Sequence, residues 1–244
     1  MAKQVKFTDK RLNQLRAAFK EEASPEHAEF HKKYHKSTKD FYGLYSKDFT
    51  AAFRTVFPKT LKMDRDEAIP LALQLWSSNW FEEQAAGLSL LWRVHKELTP
   101  KDLPMLKKIT TECEGWAMLD FLATGHLGAL ALRYGDPVYE KVRTWTKHKH
   151  MWTRRAAILI HVLPARKKVL NEVYAWDTFT ELLHEKEFFI RKAIGWTLRE
   201  MTKHYPEKVY EYIRENRDAM SGLTFREGSR RLPEPLRKKL GSKK

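Results

Sequence analysis

Hydrophobic residues recur along this chain with the period of an α-helix. Between Gln84 and Leu98 they place Ala85, Leu88, Leu91, Trp92 and His95 on one face. The stretches Arg154 to Leu163 and Ile190 to Met201 repeat the i, i+3, i+4 pattern. Pro58, Pro70, Pro100, Pro104, Gly135-Asp136-Pro137, Pro164, Pro206 and Gly222 fall between such segments and predict helices of about 10 to 16 residues. No stretch alternates cleanly enough to predict a sheet.

The helical pattern itself repeats. Phe81, Trp116, Trp152 and Phe189 are spaced 35, 36 and 37 residues apart. Four residues after each aromatic come Ala85, Asp120, Ala156 and Ala193. A period of this length, with about two helices per unit, predicts an all-α solenoid of HEAT-like repeats. The tetratricopeptide pattern is absent. Extension by 36 reaches Phe225, where a degenerate last repeat is expected; extension backwards reaches Tyr45, where the pattern is weak. We expect one domain over 1–244, with capping helices in 1–40, repeats over 41–232 and a basic tail over 233–244. Stacked repeats curve, and their second helices line the concave side. Trp116, Asp120, Arg155 and Trp196 should therefore open toward one groove.

The 244 residues carry a net charge of +15, which favours a polyanionic partner. Nucleic acid comes first, an anionic membrane surface second, and simple solubility remains open. From Lys141 to Lys168 there are nine Lys or Arg residues and no acid, Lys149, Arg154 and Arg155 among them. A second basic cluster runs from Arg226 to Lys239. Both could flank a concave basic groove that tracks phosphates. His148-Lys149-His150 lacks a neighbouring acid or Cys and reads as basic surface, so no metal is expected.

The single Cys113 excludes an intramolecular disulfide and fits a reducing compartment. No apolar run approaches the ~20 residues of a membrane span. The opening Met-Ala-Lys-Gln-Val-Lys-Phe-Thr lacks a signal-peptide apolar stretch. A cytoplasmic, monomeric protein is expected.

Asp120 is the residue of chemical interest, because a carboxylate stands where its repeat equivalents are alanine. Two readings are open. It could cap a helix or pair with a basic neighbour, leaving Trp116 and Trp196 in the core. Alternatively, Asp120, Arg155 and the two indoles could serve a reaction whose transition state is positive. A carboxylate stabilises a developing cation and orients water, and N-glycosidic cleavage is of this kind. His126 reads as a packing or supporting residue.

The run Trp152-Thr-Arg-Arg-Ala-Ala-Ile-Leu and the run Phe188-Phe-Ile-Arg-Lys-Ala-Ile-Gly-Trp-Thr-Leu-Arg-Glu resemble the AlkD-type DNA alkylation repair glycosylases. The resemblance is specific from about residue 110 to 232. It implies a metal- and cofactor-independent enzyme releasing positively charged N3- and N7-alkylpurines from double-stranded DNA without burying a flipped base. Asp120 matches that family's catalytic acid, and Trp116 and Trp196 its sugar-holding aromatics. Arg155 matches an arginine on the DNA backbone, with Arg154, Lys192, Arg199 and Lys149 as further DNA-binding candidates. Where the family often has Trp-Trp-Asp-x-Val-Asp, this chain has Gly115-Trp116-Ala117-Met118-Leu119-Asp120. Some relatives of the fold bind DNA, branched DNA included, without removing bases, and that is the rival reading.

Overall fold

Local chemistry starts and stops the helices. Asp9 accepts the backbone N–H of Arg11 and opens helix Lys10–Glu21. Ser24 caps Pro25–His35, whose first residue is a proline. Asp64 caps Arg65–Trp76, and Ser221 caps Gly222–Ser229. Thr99 and Asp102 form a reciprocal capping box before Leu103–Glu112. Each cap satisfies donors that a helix start would otherwise leave bare.

The computed structural model describes residues 6–243. The first five residues of the expected N-terminal cap, and Lys244 of the expected basic tail, lie outside them. The architecture is all-α: among the described residues the only strand-like pairing is an isolated parallel bridge between Asp40 and Trp80. No helix among them is long and apolar enough to cross a membrane.

Most of the expected punctuation falls at helix starts or in connections. Pro70 departs from it, lying inside Arg65–Trp76. A proline there deletes one helical hydrogen bond, but burial of Ala68, Leu71, Ala72, Leu75 and Trp76 holds the helix together across it.

The described residues group into two compact units. Among the described residues, the first comprises 6–98 with 114–118, and the second 99–113 with 119–243. In the first, helix Phe81–Arg93 packs against Arg65–Trp76. Its buried side is broader than the periodicity suggests: Ala86, Gly87 and Leu90 join Leu88 and Leu91, while Ala85 and Trp92 are half-buried. Glu82 and Glu83 are buried on the same helix.

The second unit stacks helix pairs. Asp136–Arg143, Glu172–Leu182 and Pro206–Glu215 are first helices; Met151–Leu159, Phe188–Met201 and Gly222–Ser229 are second helices. Phe188–Met201 packs on both of its second-helix neighbours. Its apolar stripe is regular, with Ile190, Ala193, Ile194, Thr197, Leu198 and Met201 buried. The degenerate repeat at Phe225 forms a helix, and that ring is buried.

Polar bonds cross from repeat to repeat at nearly constant sequence separation. Thr146 bonds Glu181 and Asn171 bonds Asp136, both 35 residues apart, and Lys208 reaches Glu172 across 36. Arg166 reaches Glu200 across 34. The same position in adjacent repeats thus meets in space, the one-dimensional neighbour logic of a solenoid.

Candidate functional site

Asp120 is the fifth residue of helix Trp116–Phe121. The chain then makes a π-helical turn over Leu122–Leu127 before resuming as Gly128–Tyr134. The Thr124 hydroxyl donates to the Asp120 carbonyl at 2.7 Å. A π turn rotates the residues on either side of it relative to a regular helix, and such turns concentrate at functional sites. Gly128 closes the irregular stretch: a Cβ there would lie 2.8 Å from the Leu163 side chain, so only glycine admits this approach. His126 is buried within the turn, its ring edge-on to Phe121.

Two of the repeat equivalents of Asp120 behave as packing residues, since Ala156 and Ala193 are fully buried, while Ala85 is half-buried. Asp120 itself keeps a side-chain exposure of 16%. Both its oxygens are taken by one guanidinium. Arg155 Nε donates to Oδ1 at 2.8 Å and Nη2 to Oδ2 at 2.9 Å. Arg155 Nη1 donates to the Phe189 carbonyl, and the guanidinium carbon sits 5.8 Å from the Phe189 ring centroid. Burial pushes the Asp120 carboxyl above the ordinary aspartate range, while the hydrogen bonds and charge of Arg155 pull it back down.

The other expected DNA-binding residues divide into two groups. Arg154 is buried; it pairs with Glu185 at 2.8 Å and Glu187 at 2.9 Å and donates to the carbonyls of His148 and Lys149. Arg199 is paired with Glu227, which Lys192 approaches at 4.0 Å. Lys192 is exposed, with its ammonium 5.7 Å from the ring centroid of exposed Phe188. Lys149 is exposed. Its flanking histidines engage each other, His150 donating its backbone N–H to His148 Nδ1.

Trp116 belongs to the first unit and is half-buried among aromatics. Tyr34 meets it edge-on at 5.9 Å and His35 lies 5.3 Å away. His35 also packs on Phe81 at 4.9 Å, and burial lowers its pKa. Tyr34 and Phe30 are largely exposed and stack in parallel. Sequence reading passed over this cluster; its signal was the aromatic and histidine spacing of i, i+4 and i+8 along Pro25–His35. Trp196 is half-buried on Phe188–Met201.

A family model described as DNA alkylation repair enzyme matches residues 15–232. The chain belongs to the DNA alkylation repair enzyme family. Solved structures agree on the fold. One described as a predicted DNA alkylation repair enzyme from Enterococcus faecalis superposes with a TM-score of 0.77 at 20% identity, covering 87% of this chain and 98% of that one. AlkD2 from Streptococcus mutans matches with a TM-score of 0.56 at 18% identity, covering 85% and 98%. No curated protein matches. Membership makes this a DNA repair protein of the alkylation class with DNA as its substrate, and places Asp120, Arg155 and Trp196 inside the matched region.

Proposed function

We propose that this protein is a DNA glycosylase that hydrolyses the N-glycosidic bond of positively charged N3- and N7-alkylated purines in duplex DNA, without sequestering a flipped base. The observation that carries the reading is Asp120: a carboxylate at a packing position, gripped at both oxygens, yet still partly open to solvent.

The chemistry suits a single acid. The bond between C1′ and the purine nitrogen breaks, and its electron pair leaves with the base, which departs neutral because it began cationic. The sugar carries the positive charge, which ionised Asp120 stabilises. Water then bonds to C1′ and gives its proton to Asp120 or to bulk water. A cationic leaving group needs no general acid, so one carboxylate suffices. No metal or cofactor enters the scheme. Trp116 and Trp196 would hold the sugar and backbone of the lesion nucleotide. With Arg154 and Arg199 committed to acids, exposed Lys149 and Lys192 become the stronger candidates for phosphate contacts, within the basic groove expected of a monomer acting in the bacterial cytosol. The net charge of +15 supports DNA docking.

The rival is a non-catalytic binder of damaged or branched DNA. One observation favours it: Asp120 is already neutralised by Arg155, as a purely structural pair would be. Release of 7-methylguanine and 3-methyladenine from methylated duplex, with wild type beside Asp120→Asn in EDTA, separates the two. The glycosylase reading expects release by wild type and a loss of at least about a hundredfold in the variant, with DNA affinity retained. Binding without release by either protein selects the rival.

A further inference from the structure

We propose that a groove along the first helices of the second unit docks an extended, acidic peptide segment of a partner protein. The proposal stands whether or not the protein releases bases.

The groove is one feature made twice. A cleft of about 480 Å³ lies between Leu103–Glu112 and Asp136–Arg143, and a second of about 650 Å³ between Asp136–Arg143 and Glu172–Leu182. Both have the size of ligand clefts. Glu140 and Thr144 line both, so the two are continuous. Their walls are equivalent one repeat apart. Lys107, Lys141 and Thr144 of the first become Arg143, Asp177 and Thr180 of the second, each 36 residues on. One repeat further, the same space is closed. Phe179 and Ile213 stand at the places of Arg143 and Asp177, both fully buried, and Trp176 stacks on Tyr212 at 4.9 Å. The fold can therefore fill this gap with apolar side chains. At two adjacent junctions it holds charged groups around open space instead, as it would where packing is given up for binding.

The chemistry of the walls selects the occupant. The first cleft combines apolar Leu103, Pro104 and Trp145 with Lys101, Lys107 and Lys141. In the second, Lys147 already faces Glu181 at 3.8 Å. Among the described residues, Arg143 and the three lysines of the first cleft have no acid within salt-bridge distance. Four unpaired cations fit an anionic partner. Three features favour the carboxylates of a peptide over the phosphates of a nucleic acid. The apolar wall of the first cleft suits a side chain, which a sugar–phosphate chain does not offer. Glu140 and Asp177 repel a continuous row of phosphates. Thr144 donates its hydroxyl proton to the Lys141 carbonyl at 2.7 Å, so its oxygen is left to accept, as from a peptide N–H. In addition, no lining residue lies on a second helix, the layer that carries Arg155, Lys192 and Arg199.

The repeat spacing sets the register of the peptide. Packed helices lie about 8–10 Å apart, and an extended chain advances about 3.3–3.6 Å per residue. An apolar anchor in the first cleft and a carboxylate at Arg143 in the second should thus be about three residues apart.

The test selects short random peptides by phage display on wild type saturated with unmodified duplex DNA, so that the DNA-binding face is covered. Enriched peptides are then made with a fluorescent label and titrated by anisotropy. They should carry several Asp or Glu residues and an apolar anchor about three residues from one of them. Affinity should fall at least about tenfold in the double variant Lys101→Glu/Lys107→Glu, where like charges meet. It should also fall in Pro104→Glu, which puts a charge on the apolar wall. A glutamate suits a helix start, so Pro104→Glu carries the comparison if the double variant does not fold. The indole N–H signal of Trp176, assigned against Trp176→Phe, should shift on peptide binding. Duplex affinity and base release per folded molecule should stay as in wild type in both variants. No enrichment of acidic peptides, or equal affinity for wild type and the folded variants, would overturn the proposal. Weaker duplex binding by Lys101→Glu/Lys107→Glu would do so too, by assigning the groove to DNA. Self-association of wild type that this variant abolishes would instead make a second copy the occupant, and would equally overturn it.

Discussion

Two arginine–carboxylate pairs, one in each unit, show how the same chemistry can serve different ends. In the first unit Glu83 accepts from Arg16 Nε at 2.7 Å and Nη2 at 2.9 Å, from the Tyr42 hydroxyl at 2.8 Å, and from the Ser78 hydroxyl. The carboxylate is completely buried and every lone-pair direction has a donor. In the second unit Asp120 is held by a similarly short fork from Arg155, but among the described residues no hydroxyl completes its shell, and part of it meets solvent. A saturated, sealed carboxylate can only hold structure. An unsaturated, partly open one retains acceptor capacity for water or a developing cation.

The largest effect expected from this contrast is on stability. Arg16→Ala leaves Glu83 charged and buried, and should cost about 3–5 kcal/mol in urea unfolding, well above the cost of Arg155→Ala. Equal costs would remove the distinction between the pairs. Next comes Gly43, whose N–H, with those of Tyr42 and Leu44, grips the Glu82 carboxylate beside Glu83. Its φ is +77°, and a Cβ would fall 2.3 Å from the Ser24 carbonyl oxygen. Gly43→Ala should destabilise by about 1–3 kcal/mol. An unchanged unfolding midpoint would mean that this loop contributes little to the sealed network.

The second unit has its own sealed group, His161, fully buried against Tyr139 and Phe179. Burial lowers its pKa from 6.5 to about 3. The unfolded chain therefore binds a proton that the folded one rejects, and this contribution to stability is full above pH 6.5 and lost as pH falls toward 3. His161→Phe should flatten the acid fall in Tm; an identical pH profile would contradict the assignment. The smallest effect is expected at the surface. Lys192→Ala or Lys149→Ala should lower the log–log salt slope of DNA binding by about one each, and an unchanged slope would exclude that lysine from the backbone footprint.

Much of this was legible in the sequence for a physical reason. Repeat spacing survives because the same position in neighbouring repeats must meet, and bonds at 34–36 residues record that constraint. Asp120 stood out because its equivalents Ala156 and Ala193 are buried packing residues. Partner choice was not legible. Arg154 read as a free cation in a basic run and Arg199 as a further DNA-binding candidate, yet their acids lie about 30 residues away, at Glu185, Glu187 and Glu227. The resemblance placed Arg155 on the DNA backbone, and neither it nor the charge of the run reports that this side chain is buried against Asp120. The Arg16–Glu83 network went unseen because its residues look like ordinary solvated helix positions. The π turn has no periodic signature; Gly125 within it and Gly128 at its end are its traces in the sequence.

The most direct measurement compares Glu83→Gln with Asp120→Asn, recording urea stability and single-turnover release of 7-methylguanine from duplex DNA for each. The account expects the effects to cross: Glu83→Gln loses stability but keeps its release rate per folded molecule, and Asp120→Asn stays folded and bound to DNA but loses release. Full release by Asp120→Asn would contradict the account at its centre, whatever the stability of either variant.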